Sequence, residues 1–110
     1  MRKCTIEIGD MKYDLVLIRK SVKWLEAKGF DIDNFVEKPL TNVDLLWESG
    51  FVANYGDLSI DEVDSLMDQY IEEGGDTNEV ITFLVEEYSS FINALTDTKS
   101  EKKKKATITQ

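Results

Sequence analysis

The chain opens on alternation. Thr5-Ile6-Glu7-Ile8 and Met11-Lys12-Tyr13-Asp14-Leu15-Val16-Leu17 place apolar and polar residues at period two, the spacing of half-buried strands. Gly9-Asp10 lies between them, a two-residue loop with glycine first, as a type II′ turn prefers. This predicts a β-hairpin with Cys4, Ile6, Ile8, Met11, Tyr13, Leu15 and Leu17 on one face. A lone hairpin is marginal in water, so that face must pack on helices.

After Leu17 the period lengthens to that of a helix. Ile18, Val22 and Leu25 sit at i, i+4 and i+7, with Trp24 widening the stripe, and predict a short helix over about Arg19–Lys28 that Gly29 stops. Ile32, Phe35 and Val36 predict a short helical turn tucked under the core, closed by Pro39. A second helix is expected from Thr41 to about Tyr55, with Thr41 as its cap, Asp44 in its first turn and Gly56 as its stop. Val43, Leu45, Leu46, Trp47, Phe51, Val52 and Tyr55 surround much of its circumference. A helix that is apolar on most sides belongs at the centre of a domain. Gly50 inside it costs roughly 1 kcal/mol against alanine, which points to another element approaching closely there.

Ser59-Ile60-Asp61-Glu62 is a capping box, flanked by Leu58 and Val63 at the staple positions. It opens a third helix to about Glu73, with Val63, Leu66, Met67, Tyr70 and Ile71 on its inner stripe and Gly74-Gly75 as its end. Asp76-Thr77-Asn78-Glu79 reads as a second capping box. The fourth helix follows, from about Thr77 to Leu95, on the stripe Ile81, Leu84, Tyr88, Phe91 and Leu95, widened by Val80, Phe83, Val85 and Ile92. Residues 97–110 show no core-forming pattern and include Lys102-Lys103-Lys104-Lys105, the composition of a disordered basic tail. The expected fold is mainly α within an α+β frame. An N-terminal hairpin packs on a bundle of about four helices in a single domain over 1–96, with the tail over 97–110.

Charge changes this picture in one respect. From Pro39 to Thr98 there are fourteen carboxylates and no lysine or arginine, whereas residues 1–38 and 99–110 are net basic. Such a body repels nucleic-acid phosphates and anionic membranes, so neither is an expected partner. It suits a basic protein partner, or solubility at high concentration.

Chemistry adds little. One cysteine and no histidine exclude an internal disulfide and the usual zinc sites. Asp31-Ile32-Asp33-Asn34-Phe35-Val36 fails the calcium-loop pattern at its fifth and sixth positions. The carboxylates fall on helix surfaces without a histidine base or a phosphate-binding loop. No enzyme, metal or cofactor is expected. No apolar run is long enough to span a membrane, and no secretion signal is read at the N-terminus. Contact with protein is the remaining chemistry. Most aromatics are core by spacing, but Tyr55, near a helix end, and Phe83, at the edge of the fourth helix's stripe, are the leading candidate anchors, joined by Met67 and Tyr70 of the third helix's stripe and Tyr88 and Phe91 of the fourth's.

The order of parts resembles a known family. A strand-turn-strand start, a lysine-rich helix ending Lys28-Gly29, and Asn42-Val43-Asp44-Leu45-Leu46-Trp47 form the first half. Phe51-Val52-Ala53-Asn54-Tyr55, then Leu58-Ser59-Ile60-Asp61-Glu62-Val63, an acidic helix and a last apolar helix form the second. Over residues 5–95 this is similar to the tail assembly chaperones of long-tailed, siphovirus-type phages and prophages of Gram-positive bacteria. The resemblance implies a mainly helical, self-associating protein of the host cytoplasm, absent from the mature virion. It implies binding of the tape-measure protein, which it keeps soluble, and recruitment of the major tail-tube protein. It also implies a frameshifted longer product, for which the Lys102–Lys105 codons are a candidate slippery site. The family has no catalytic residues. The competing readings are an acidic DNA-mimic inhibitor and an adaptor in an unrelated complex.

Overall fold

Alternation and loop chemistry produce the hairpin. In the computed structural model, which describes residues 2–96, β1 (Cys4–Ile8) and β2 (Met11–Leu15) pair antiparallel, with Cys4 opposite Leu15, Ile6 opposite Tyr13 and Ile8 opposite Met11. Gly9 has φ +62° and no described non-glycine residue has positive φ, which is the type II′ signature. Ile6, Ile8, Leu15 and Leu17 are buried. Met11 shares their face but is 59% exposed. Helix α3 (Ile60–Glu72) packs on β1 and leaves the first residue of β2 uncovered.

Helix α1 (Arg19–Ala27) buries Ser21, Val22 and Leu25. It ends in a Schellman motif: Gly29 donates to the Glu26 carbonyl and Phe30 to that of Leu25. The motif turns Phe30 back into the core beside Leu25. A 3₁₀ helix (Ile32–Glu37) follows, started by the Asp31 carboxylate accepting from the Asp33 N–H. Ile32 and Phe35 pack against the core, but Val36 does not tuck under it; it is 84% exposed. The three-residue turn places Val36 beyond the side that Phe35 buries.

Helix α2 (Pro39–Val52) is the centre of the molecule, touching α1, the 3₁₀ helix, α3, β2 and α4 (Thr77–Thr96). Leu46 and Trp47 are 0% and Phe51 1% exposed. Its start differs from expectation. Pro39 opens the helix instead of closing the previous segment, because its fixed φ and missing N–H suit the first helical position. Thr41 therefore stands inside the first turn and is not the cap. The helix also ends earlier, at Val52, and the chain continues through a turn in which the Tyr55 N–H still reaches the Phe51 carbonyl. Gly50 has the close neighbours its presence implied. A Cβ there would lie 3.3 Å from Leu84 Cδ2 and 3.4 Å from Leu15 Cβ, so α4 and β2 both approach the bare backbone.

Both arms of the Ser59–Glu62 capping box are made, at 3.1 and 2.8 Å. Helix α3 lays Val63 into the core and half-buries Leu66, Met67 and Tyr70; Ile71, the outermost of the stripe, is 52% exposed. Glu73 at its end accepts from the Gly9 N–H at 2.9 Å, tying α3 to the hairpin turn. At the start of α4, Asp76 Oδ1 accepts from the Glu79 N–H, one arm of the second expected box. Val80, Phe83, Leu84 and Tyr88 of α4 complete the core. Among the described residues no helix is long and apolar enough to cross a membrane. The tail expected over 97–110 lies outside the described residues.

Candidate functional site

The six anchor residues named from the sequence do not converge on one surface. Phe83 and Tyr88 are 8% and 7% exposed and belong to the core. Tyr88 meets Phe30 edge to face at 5.1 Å, and burial pushes its phenol above the ordinary range. Arg2 lies 5.2 Å above the Phe83 ring, held by ion pairs to Glu87 and Glu86 at 3.0 and 3.7 Å. Among the described residues the Tyr88 ring lines no cleft, whereas Phe83 lines one of about 400 Å³ together with Arg2, Cys4 and Thr82. Both sit on the side of α4 that packs into the core with α2 and Phe30.

Tyr55 is half-buried and acts as a strut. Its hydroxyl accepts from the Asp14 N–H at 2.8 Å and its ring meets Tyr13 edge to face at 5.2 Å. Asn54 adds a bond to the Asp14 carbonyl, so the end of α2 is fastened to the outer edge of β2. Tyr70 lies 5.8 Å from Trp47, and Met67 packs on the core beside it. Phe91 is half-buried under the Arg19 guanidinium, 5.8 Å away. Each candidate has a partner inside the fold.

The open apolar surface lies elsewhere. Ile32 and Phe35 of the 3₁₀ helix face Ile81 and Val85 of α4 across a groove of about 330 Å³, with Thr82 and Glu86 at its edge. Directly along the chain from Phe35 stand Val36, 84% exposed, and Leu40, 73% exposed. A mostly apolar groove is the form that receives a partner's apolar helix face. The signal in the sequence was Pro39. It breaks the stretch between Val36 and Leu40, so the two cannot share one buried helical stripe.

A second cleft, of about 220 Å³, opens between α1, the C-terminal half of α2 and the start of α3. Lys20 and Trp24 line it from α1, Glu48 and Phe51 from α2, and Ile60 and Val63 from α3. The spacing of Glu48, Phe51, Val52 and Tyr55 puts them on one face of α2 and its continuing turn. Glu48 is 8% exposed. Burial first, then a hydrogen bond with Asp64 and the charges of Asp64 and Asp44, push its carboxyl up to about 8; Lys28 opposes them. Asp44 is also raised, by burial and by Asp64 and Asp68. Sequence spacing alone placed Glu48 among surface carboxylates.

Among the described residues no group of three or more metal-ligating side chains is placed to hold an ion. The family model described as Domain of unknown function (DUF5055) matches residues 2–110. No curated protein and no solved structure matches.

Proposed function

For this chain, which belongs to the family of the Domain of unknown function DUF5055, we propose the role of a non-enzymatic tail assembly chaperone of long-tailed phages. It binds the tape-measure protein in the host cytoplasm, keeps it soluble, helps recruit tail-tube subunits, and does not enter the mature virion. The observation that carries this reading is the apolar groove of Ile32, Phe35, Ile81 and Val85, with Val36 and Leu40 exposed just along the chain from Phe35. Exposed apolar residues of this size next to a groove mark an interaction surface. A client with amphipathic helices lays its apolar face there. The base-free, carboxylate-rich stretch from Pro39 to Thr98 then supplies like charge on the outside of each complex, which opposes aggregation.

Co-expression tests it. The tape-measure protein encoded beside this chain should move from the pellet to the soluble fraction when the chain is present and co-elute with it on size exclusion. The double variant Val36→Asp, Leu40→Asp should lose that effect while keeping the wild-type helical content. A client equally insoluble with and without the chain sinks the reading.

A further inference from the structure

Among the described residues the sheet has two strands, so each strand is an edge, and the two edges are finished differently. In an antiparallel pair the backbone N–H and C=O groups of alternate residues point away from the partner strand. On β2 side chains satisfy them at Asp14. Its N–H donates to the Tyr55 hydroxyl at 2.8 Å, and its carbonyl accepts from Asn54 Nδ2 at 3.0 Å. These two bonds also fix the phase of the ladder. Thr5 stands opposite Asp14 and Glu7 opposite Lys12, so the backbone groups of Thr5 and Glu7 point outward from β1. Among the described residues none of those N–H and C=O groups has a hydrogen-bond partner. Thr5 and Glu7 are exposed, while Ile6 between them lies in the core. Free donors and acceptors at every second residue of an edge are a template for one further strand.

The cleft of about 400 Å³ that Phe83 lines opens at the start of this strand. Cys4 lines it from β1, and Asn78, Thr82, Phe83 and Glu86 line it from α4. Asn78, Thr82 and Glu86 recur every four residues and so stand on one face of the helix. A strand added beside β1 places the side chain next to Cys4 on the same face of the sheet as Cys4, the face that lines the cleft. We propose that the free edge of β1 binds an extended segment of a partner polypeptide by strand addition, its backbone paired with Thr5 and Glu7 and one apolar side chain seated between Cys4 and Phe83. The backbone chemistry chooses the occupant. An extended segment has N–H and C=O groups to give to the edge, whereas a helix has spent its own within itself. The same chemistry favours β1 over β2, where Tyr55 and Asn54 already occupy the groups that a further strand would use. This inference does not rest on the client proposed above.

Panning a displayed library of random peptides on the full chain supplies the probes, and the recovered sequences are synthesised. Bound peptide should slow hydrogen exchange at the Thr5 and Glu7 amides by about tenfold or more, read by NMR, and leave the Lys12 amide unchanged. Replacing one peptide N–H by N-methyl removes a hydrogen bond and keeps every side chain. It should weaken binding about tenfold at alternate residues, those whose N–H faces β1, and little at the residues between. Glu7→Pro removes one donor of the edge at a position where an edge strand tolerates proline. It should weaken binding by a similar factor, whereas Lys12→Pro on β2 should not. Circular dichroism checks that both variants fold, and the methylated peptides read the same bonds on wild type whether or not they do. A library that yields no binders, binders without the alternating effect of methylation, or protection away from Thr5 and Glu7 overturns the proposal. So does protection of those two amides in the chain alone as its concentration rises, with a dimer on sedimentation, which assigns the edge to a second copy.

Discussion

The indole N–H of Trp47 donates to the backbone carbonyl of Val63 at 2.8 Å, inside the core. Val63 lies in the first turns of α3, so a side chain of the central helix reaches across and grips the backbone of its neighbour. Trp47 also stacks near Phe51 and Tyr70, at 5.2 and 5.8 Å. Trp47→Phe removes the donor and part of the ring. It should destabilise the fold by about 2–4 kcal/mol, the sum of a lost buried hydrogen bond and a small cavity. Urea denaturation followed by circular dichroism measures it.

Glu48 gives stability an unusual pH dependence. Its folded value of about 8 stands above the 4.5 of an ordinary glutamate. Between those limits the folded chain holds a proton that the unfolded chain has released. The contribution is therefore complete below about pH 4.5 and is lost as pH rises toward 8. Asp14 and Glu73 work in the opposite sense. The Thr5 hydroxyl holds Asp14 low and the Gly9 N–H holds Glu73 low, so their contributions vanish as pH falls. Glu48→Gln should flatten the decline between about pH 4.5 and 8 and raise stability at pH 8 by on the order of 1–3 kcal/mol. Thermal melts of both chains from pH 4 to pH 9 decide this; parallel curves would refute it.

The two glycines with close neighbours should respond differently to alanine. At Gly50 the new methyl meets the flexible end of Leu84 and the side chain of Leu15 at 3.3–3.5 Å. The helix-propensity gain of about 1 kcal/mol offsets that crowding. Gly50→Ala should stay within about 1 kcal/mol of wild type, and Gly50→Val should lose more than about 2 kcal/mol through overpacking. At Gly75 a Cβ would fall inside contact distance of the Tyr70 ring, which Trp47 backs. Gly75→Ala should therefore cost about 1–3 kcal/mol despite its position in a loop.

The Ser59 cap is isolated enough to be read alone. Ser59→Ala removes the acceptor for the Glu62 N–H and should cost about 1 kcal/mol. Hydrogen exchange should show the loss as faster opening of the first turn of α3, while α1 keeps its wild-type rates.

Val36→Asp and Leu40→Asp fall on exposed positions. Each should change stability by less than about 0.5 kcal/mol while weakening client capture. A loss of stability as large as that of Trp47→Phe would place these residues in the core, contrary to their exposure.

Local chemistry determined much of this protein before any tertiary contact. The Gly9-Asp10 turn, the Lys28-Gly29 stop, the Ser59–Glu62 box and the Gly74-Gly75 end are decided by hydrogen bonds a few residues apart, so short windows of sequence reveal them. The central place of the second helix was legible too, because a helix apolar on most sides has no other stable position. What tertiary structure alone decided is which apolar and acidic residues are covered. Val36 and Phe35 are neighbours of similar hydrophobicity, yet one is open and the other half-buried, because α4 passes on one side of the 3₁₀ helix only. Phe83 and Tyr88 look like stripe residues available for binding, but Arg2 lies over the first and Phe30 meets the second, both from distant parts of the chain. Glu48 has the sequence surroundings of a surface carboxylate, and α1 and α3 enclose it from either side. Burial depends on what arrives from elsewhere in the chain, and periodicity reports only which residues of one element face the same way.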